Sequence, residues 1–179
     1  MGLFSLAGFV AYFFLSGFIF GAGFQPTPTK AIEKAAQTLR LRGGMVVYDL
    51  GSGLGKVLFH LSKKYEVKCV GIEIDPLKFV LSSLIARIKK LEDKVQFIRG
   101  NILDFDLSNA DVVFLFLSSE TGIMEKIASK ALVEMNAGSK LVSFIHEFDK
   151  GSGLFLEQSI GGNIHVYSVP RREVITLNR

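Results

Sequence analysis

From Met45 onward, short runs of continuous apolar residues alternate with stretches of helical period, and no other feature narrows the fold as much. "MVVYDL" (45–50), "VKCVGIEI" (67–74), "KVQFIRG" (94–100), "ADVVFLFLS" (110–118) and "SKLVSFIHEF" (139–148) each have the length of one strand. Between them, 54–64, a stretch opened by Pro76 and 121–136 read as helices; after Pro76, the residues Leu77, Val80, Leu81, Leu84, Ile85 and Ile88 share one face. Strands without a polar face need cover on both sides, and alternating helices supply it, so the pattern predicts an α/β fold with a mostly parallel sheet. "GLFLEQSI" and "NIHVYSV", hinged on Gly161-Gly162-Asn163, add an antiparallel hairpin at one edge, for about seven strands in all. Upstream, Ile32, Ala35, Ala36 and Leu39 fall at i, i+3, i+4 and i+7 and predict an amphipathic helix over 28–41. Thr27 is its expected N-cap, with Pro28 at the first helical position.

The N-terminus is of a different character. Met1 to Thr29 contains no Lys, Arg, Asp or Glu, and "LFSLAGFVAYFFLSGFIFGAGF" (3–24) is apolar or small throughout. At 1.5 Å per residue this run reaches about 33 Å, the thickness of a bilayer's hydrocarbon core, and predicts a transmembrane helix. A signal peptide would carry Lys or Arg ahead of the run, and none is there. A buried core helix would be shorter and would keep a polar face. The first charges beyond the run are Lys30, Lys34, Arg40 and Arg42 against Glu33, which places the following domain on the cytoplasmic side of a single-pass membrane protein. The expected organisation is an anchor over 1–25, a linker and amphipathic helix over 26–44, and one domain over 45–179.

Charge and cysteine usage exclude several classes. The net charge of +4 resides in scattered pairs such as Lys63-Lys64 and Lys89-Lys90, so no nucleic-acid partner is expected, whereas anionic lipid remains open. A single cysteine, Cys69, leaves no intramolecular disulfide. His60, His146 and His165 have no metal-site spacing, and no metal is expected.

The chemistry concentrates at "DLGSGLGK" (49–56), which follows the first strand and opens a helix, the place where open α/β sheets bind ligands. The dinucleotide fingerprint and the P-loop both require glycine at position 56, which is Lys56. The remaining pattern is G-x-G-x-G with an acidic lead-in, Asp49-Leu50-Gly51-Ser52-Gly53-Leu54-Gly55, which resembles the motif of class I S-adenosyl-L-methionine (SAM) methyltransferases. SAM offers an ammonium and a sulfonium instead of a phosphate, which an aspartate at a strand end suits. Gly51, Ser52, Gly53 and Gly55 are the candidate cofactor loop. Glu73, at the tip of the second strand, can accept both ribose hydroxyls with one carboxylate, while Asp75 before Pro76 reads more simply as a helix cap. Asn101 or Asp104 could meet the adenine edge, with Ile74 and Ile102 as apolar covers; equally, Asn101 after Gly100 could be a turn residue.

Over residues 30–179 the chain resembles class I methyltransferases. More narrowly, it is similar to the membrane-anchored protein-lysine methyltransferases that act on ATP synthase subunit c and the adenine nucleotide translocase, and to their archaeal relatives. The apolar N-terminal segment, "PTP" (26–28), "DLGSGLGK", "GIEIDP" (71–76), "DVVFLFLSS" and "NIHVYSV" carry the resemblance. It implies a Rossmann-like sheet, SAM as cofactor, Thr27 as a cofactor contact, and a membrane-associated protein with an accessible lysine as substrate. Leu54 and Asn101 stand where many relatives carry acids. The exit of the fourth strand, "LFLSSET", lacks the Asn/Asp-Pro-Pro-Tyr of enzymes that methylate base amines or glutamine amides. Ser118 and Ser119 are the candidates to orient an amine, although Ser119 or Thr121 could instead begin the next helix. A lipid or small-molecule methyltransferase and a non-catalytic assembly factor are the alternatives; the intact Asp49, glycine loop and Glu73 argue against the latter.

Overall fold

The computed structural model describes Gly8, Tyr12 and residues 27–116 and 122–171. Within residues 27–171 the described elements follow in the order α1 (Thr29–Leu39), β1 (Val46–Leu50), α2 (Lys56–Tyr65), β2 (Lys68–Glu73), α3 (Pro76–Ile88), β3 (Val95–Arg99), β4 (Val112–Leu115), α4 (Ile123–Glu134), β5 (Lys140–Phe144), β6 (Phe155–Ile160) and β7 (Ile164–Ser168). They build one seven-stranded sheet in the order β3-β2-β1-β4-β5-β7-β6. The first five strands pair in parallel, while β7 is antiparallel to both β5 and β6 and puts the hairpin at the edge.

Two apolar layers cover the sheet, as strands buried on both faces require. On one face, Val47, Cys69, Val112, Phe114 and Val142 pack against Ile32, Ala35 and Ala36 of α1 and Val57, Leu58 and Leu61 of α2. On the other, Leu50, Ile72, Val113, Leu115 and Leu141 meet Met124, Ile127, Ala128 and Ala131 of α4. Since β1 leads to β2 on one side and β4 leads to β5 on the other, strand order reverses between β1 and β4. In open α/β sheets such a reversal marks where ligands bind, beyond the carboxyl ends of the two strands.

Two expectations change. Helix α1 begins one residue later than expected: Pro28, extended at φ −61° and ψ 134°, is the N-cap, and no side chain caps the helix. Thr27 lies buried ahead of it, outside the cap position. Helix α3 divides its predicted apolar face: Leu77, Leu81 and Ile85 are half-buried, with Ile85 against the core. It buries Lys78, Ser82 and Ala86, while Val80, Leu84 and Ile88 face outward. Short side chains at 82 and 86 let the helix lie close to β2 and β3, and Val80, Leu84 and Ile88 are left on the far side. The apolar N-terminal run, expected to span a membrane, lies mostly outside the described residues. Among those described, no helix is long and apolar enough to cross a membrane. Tyr12, midway along the run, donates its hydroxyl to Asp75 Oδ1 at 2.8 Å, so that point of the chain rests against the domain.

Candidate active site

At the end of β1 the backbone turns sharply. Gly51, Gly53 and Gly55 have φ of 83°, 54° and 78°, a region that side-chain-bearing residues avoid. The N–H groups of Gly51 and Ser52 both donate to the Ile72 carbonyl, at 2.9 and 3.0 Å, which ties the loop to β2. Gly55 is then the N-cap of α2. A Cβ there would lie 2.4 Å from Phe97 Cζ and 2.9 Å from Phe59, so glycine is needed for space as well as for φ.

Sequence reasoning passed over Gly71. It pairs with Asp49 across β1 and β2, and a Cβ on it would come within 2.7 Å of Ser52 Oγ and of Phe97 and 2.8 Å of Leu58. The bare strand at this point is what lets the loop settle. A glycine inside a strand was the available signal, since it commonly marks close approach of another backbone or a ligand.

The acids come together as the sequence order suggested. Asp49 is buried at the end of β1, and among the described residues it has no ion pair. Burial, with Glu73 as a like charge nearby, pushes its carboxyl up to about 7. Glu73, also buried, is held in place by two backbone donors: Gly53 N–H to Oε2 at 2.7 Å and Asp75 N–H to Oε1 at 2.9 Å. Each oxygen keeps a lone pair for a further donor. Ser52 Oγ is buried without a hydrogen-bond partner, a group that a bound ligand would satisfy.

Asp75 is the cap of α3. Its Oδ1 accepts from Leu77 N–H at 2.9 Å and Lys78 N–H at 3.2 Å, and Lys78 Nζ lies 3.3 Å from Oδ2. Burial raises its carboxyl, but the Tyr12 hydroxyl, these N–H groups and Lys78 together hold it below the usual range. On the third strand's side, Asn101 Oδ1 accepts Leu103 N–H at 3.0 Å, so this residue does serve a turn. Ile102 is half-buried and Ile74 half-exposed. Ser118 and Ser119 lie outside the described residues.

A lone buried carboxylate, an unpartnered hydroxyl, a carboxylate preset by two N–H groups and a loop stripped of side chains fit a cationic adenosyl ligand. Asp49 would face positive charge, Glu73 the ribose, and Ile74 and Ile102 the ring.

Comparison with known proteins agrees with that chemistry. Residues 49–152 match the family described as the ANTKMT methyltransferase domain. A protein-lysine N-methyltransferase of Saccharolobus islandicus is 32% identical over 127 residues, which cover 69% of this chain and 75% of that protein. Among solved structures, an RNA methyltransferase from Salinibacter ruber in complex with S-adenosyl-L-homocysteine superposes with a TM-score of 0.76. It is 23% identical, and the match covers 87% of this chain and 100% of that one. A SAM-dependent methyltransferase from Thiobacillus denitrificans, also with S-adenosyl-L-homocysteine, gives 0.62 at 19% identity over 83% of this chain and 56% of its own. At these identities the two structures attest the shared fold.

Proposed function

This chain belongs to the ANTKMT methyltransferase domain family, and on that premise we propose that it methylates the side-chain amine of a lysine in a protein at a membrane. That it is a SAM-dependent methyltransferase follows from the family; the lysine acceptor is supported by the Saccharolobus islandicus relative. The observation that carries the reading is the buried carboxylate of Asp49, without an ion pair among the described residues, behind a glycine loop, a site suited to a cation. When bound, SAM supplies a methyl group activated by its sulfonium.

The residues divide the work. Asp49 holds positive charge, Glu73 orients the ribose through its fixed carboxylate, and Ser52, Gly51, Gly53 and Gly55 let backbone approach. Thr27 and Asn101 are proposed as further contacts, and Ile74 and Ile102 as the faces against the base. The acceptor lysine must arrive uncharged, and desolvation at the site beyond β1 and β4 favours the neutral amine. Ser118 and Ser119, at the exit of β4, are proposed to orient it. The uncharged run 3–24 and the cations that follow it support a membrane location, with the domain on the cytoplasmic side.

The test is methyl transfer from tritiated SAM into membranes of the source organism, with the double variant Asp49→Asn, Gly51→Ala as blank. Label recovered as methyl-lysine after acid hydrolysis of protein bands supports the reading. Label that extracts into organic solvent sinks it in favour of a lipid acceptor.

A further inference from the structure

Helix α3 presents an apolar stripe to its surroundings: Val80 is 55% exposed, Leu84 49% and Ile88 72%. These residues recur every four positions, so they form one face. A solvent-facing helix usually carries polar residues there, and α3 has buried Lys78 and Ser82 instead. The stripe ends in cations. Arg87, Lys89 and Lys90 are all exposed, and residues 87–94 hold four basic groups against two acids. Arg87 shares its charge with Glu92 at 3.1 Å, and Lys89 Nζ lies 5.7 Å from the centre of the Phe59 ring.

We propose that this face of α3 sits on an anionic lipid bilayer, with Val80, Leu84 and Ile88 entering the headgroup–acyl boundary and Arg87, Lys89 and Lys90 meeting the headgroups. It rests on the membrane location proposed above and adds to it a second, folded contact. The charge pattern selects lipid as the occupant. An apolar helix face with basic residues at its end has the chemistry of an interfacial helix. The seat also explains access. Val80 is five residues from Asp75 and seven from Glu73, so the stripe begins beside the cofactor site. A protein lying on α3 keeps that site about a helix diameter from the lipid, where a lysine close to the headgroups can enter.

A fluorophore sensitive to polarity on Leu84→Cys in the full chain tests this. Cys69 is buried, with its thiol pushed up to about 12, and stays unlabelled. Val133→Cys on α4, an exposed position on the opposite face, is the control. With vesicles of phosphatidylcholine containing about a third phosphatidylglycerol, emission at position 84 should rise at least about twofold and move to the blue, and much less with phosphatidylcholine alone. Position 133 should not respond. If the protein floats with the vesicles while position 84 stays unchanged, the N-terminal run alone holds it and the α3 seat is refuted. If the emission instead rises with protein concentration in the absence of lipid, a second copy covers the stripe and the proposal fails. No flotation and no change would overturn both the seat and the membrane location.

Discussion

Asp49 illustrates how one residue couples folding, protonation and ligand. Burial beside Glu73 pushes its carboxyl up to about 7, so at pH 6 most of the free protein carries it neutral. A cationic ligand selects the ionised form, and the proton must leave before or as it binds. We therefore expect SAM affinity to rise with pH up to about 7 and to fall about tenfold for each unit below that, with proton release measurable by calorimetry in buffers of different ionisation enthalpy. Asp49→Asn should weaken binding at pH 8 and flatten the pH dependence. A profile unchanged by that substitution would mean the titrating group is elsewhere. Gly71 makes the complementary prediction. Gly71→Ala forces a methyl group within 2.7 Å of Ser52 Oγ and of Phe97, and should cost about 1–3 kcal/mol of stability. It should also weaken SAM binding, because the displaced hydroxyl belongs to the loop; equal affinity in a destabilised variant would assign Gly71 to packing alone.

Elements are held by a few polar junctions. Glu33 on α1 accepts from Lys64 Nζ at 2.6 Å, from Tyr65 at 3.1 Å and from His60, all on α2. The Lys64 contact comes first among the causes that bring its carboxyl down to about 2, with His60 and Tyr65 adding to it and partial burial opposing it. A carboxyl lowered by folding stabilises the protein above its unfolded value, and that contribution is lost as pH falls from about 4.5 toward 2. Glu33→Gln should therefore lower the melting temperature slightly at pH 7, by roughly 1–3 °C, and make no difference near pH 2. Thermal denaturation across that range checks it, and a deficit that persists at the acid end would point to packing. At α3, Asp75→Ala removes the cap and one partner of Lys78, and should cost at least about 1–2 kcal/mol.

At the scale of the molecule, cofactor and fold are coupled by mass action. SAM at about a hundred times its dissociation constant should add about 2.7 kcal/mol, a rise of several degrees in melting temperature, provided Asp49 is intact. Much of this architecture could be read from the chain. Five apolar runs of strand length separated by helical periods allow little but a covered parallel sheet, and Asp49, the glycine loop and Glu73 are local signals whose order survives folding. Other features depended on neighbours distant in sequence. Periodicity groups Val80, Leu84 and Ile88 on one face but cannot say which way that face points; Ser82 and Ala86 fit closely against β2 and β3, and that contact decided it. Thr27 scored as a cap on composition, whereas the extended Pro28 took that position. Gly71 mattered only once Ser52 and Phe97 were folded over it, and Tyr12 met Asp75 across 63 positions. Hydrophobic pattern and turn chemistry are properties of a few consecutive residues, so the sequence by itself determined the elements and the chemistry of the loop. Facing, close approach and protonation depend on which surfaces meet at van der Waals distance in a low dielectric, and those were decided by the tertiary structure alone.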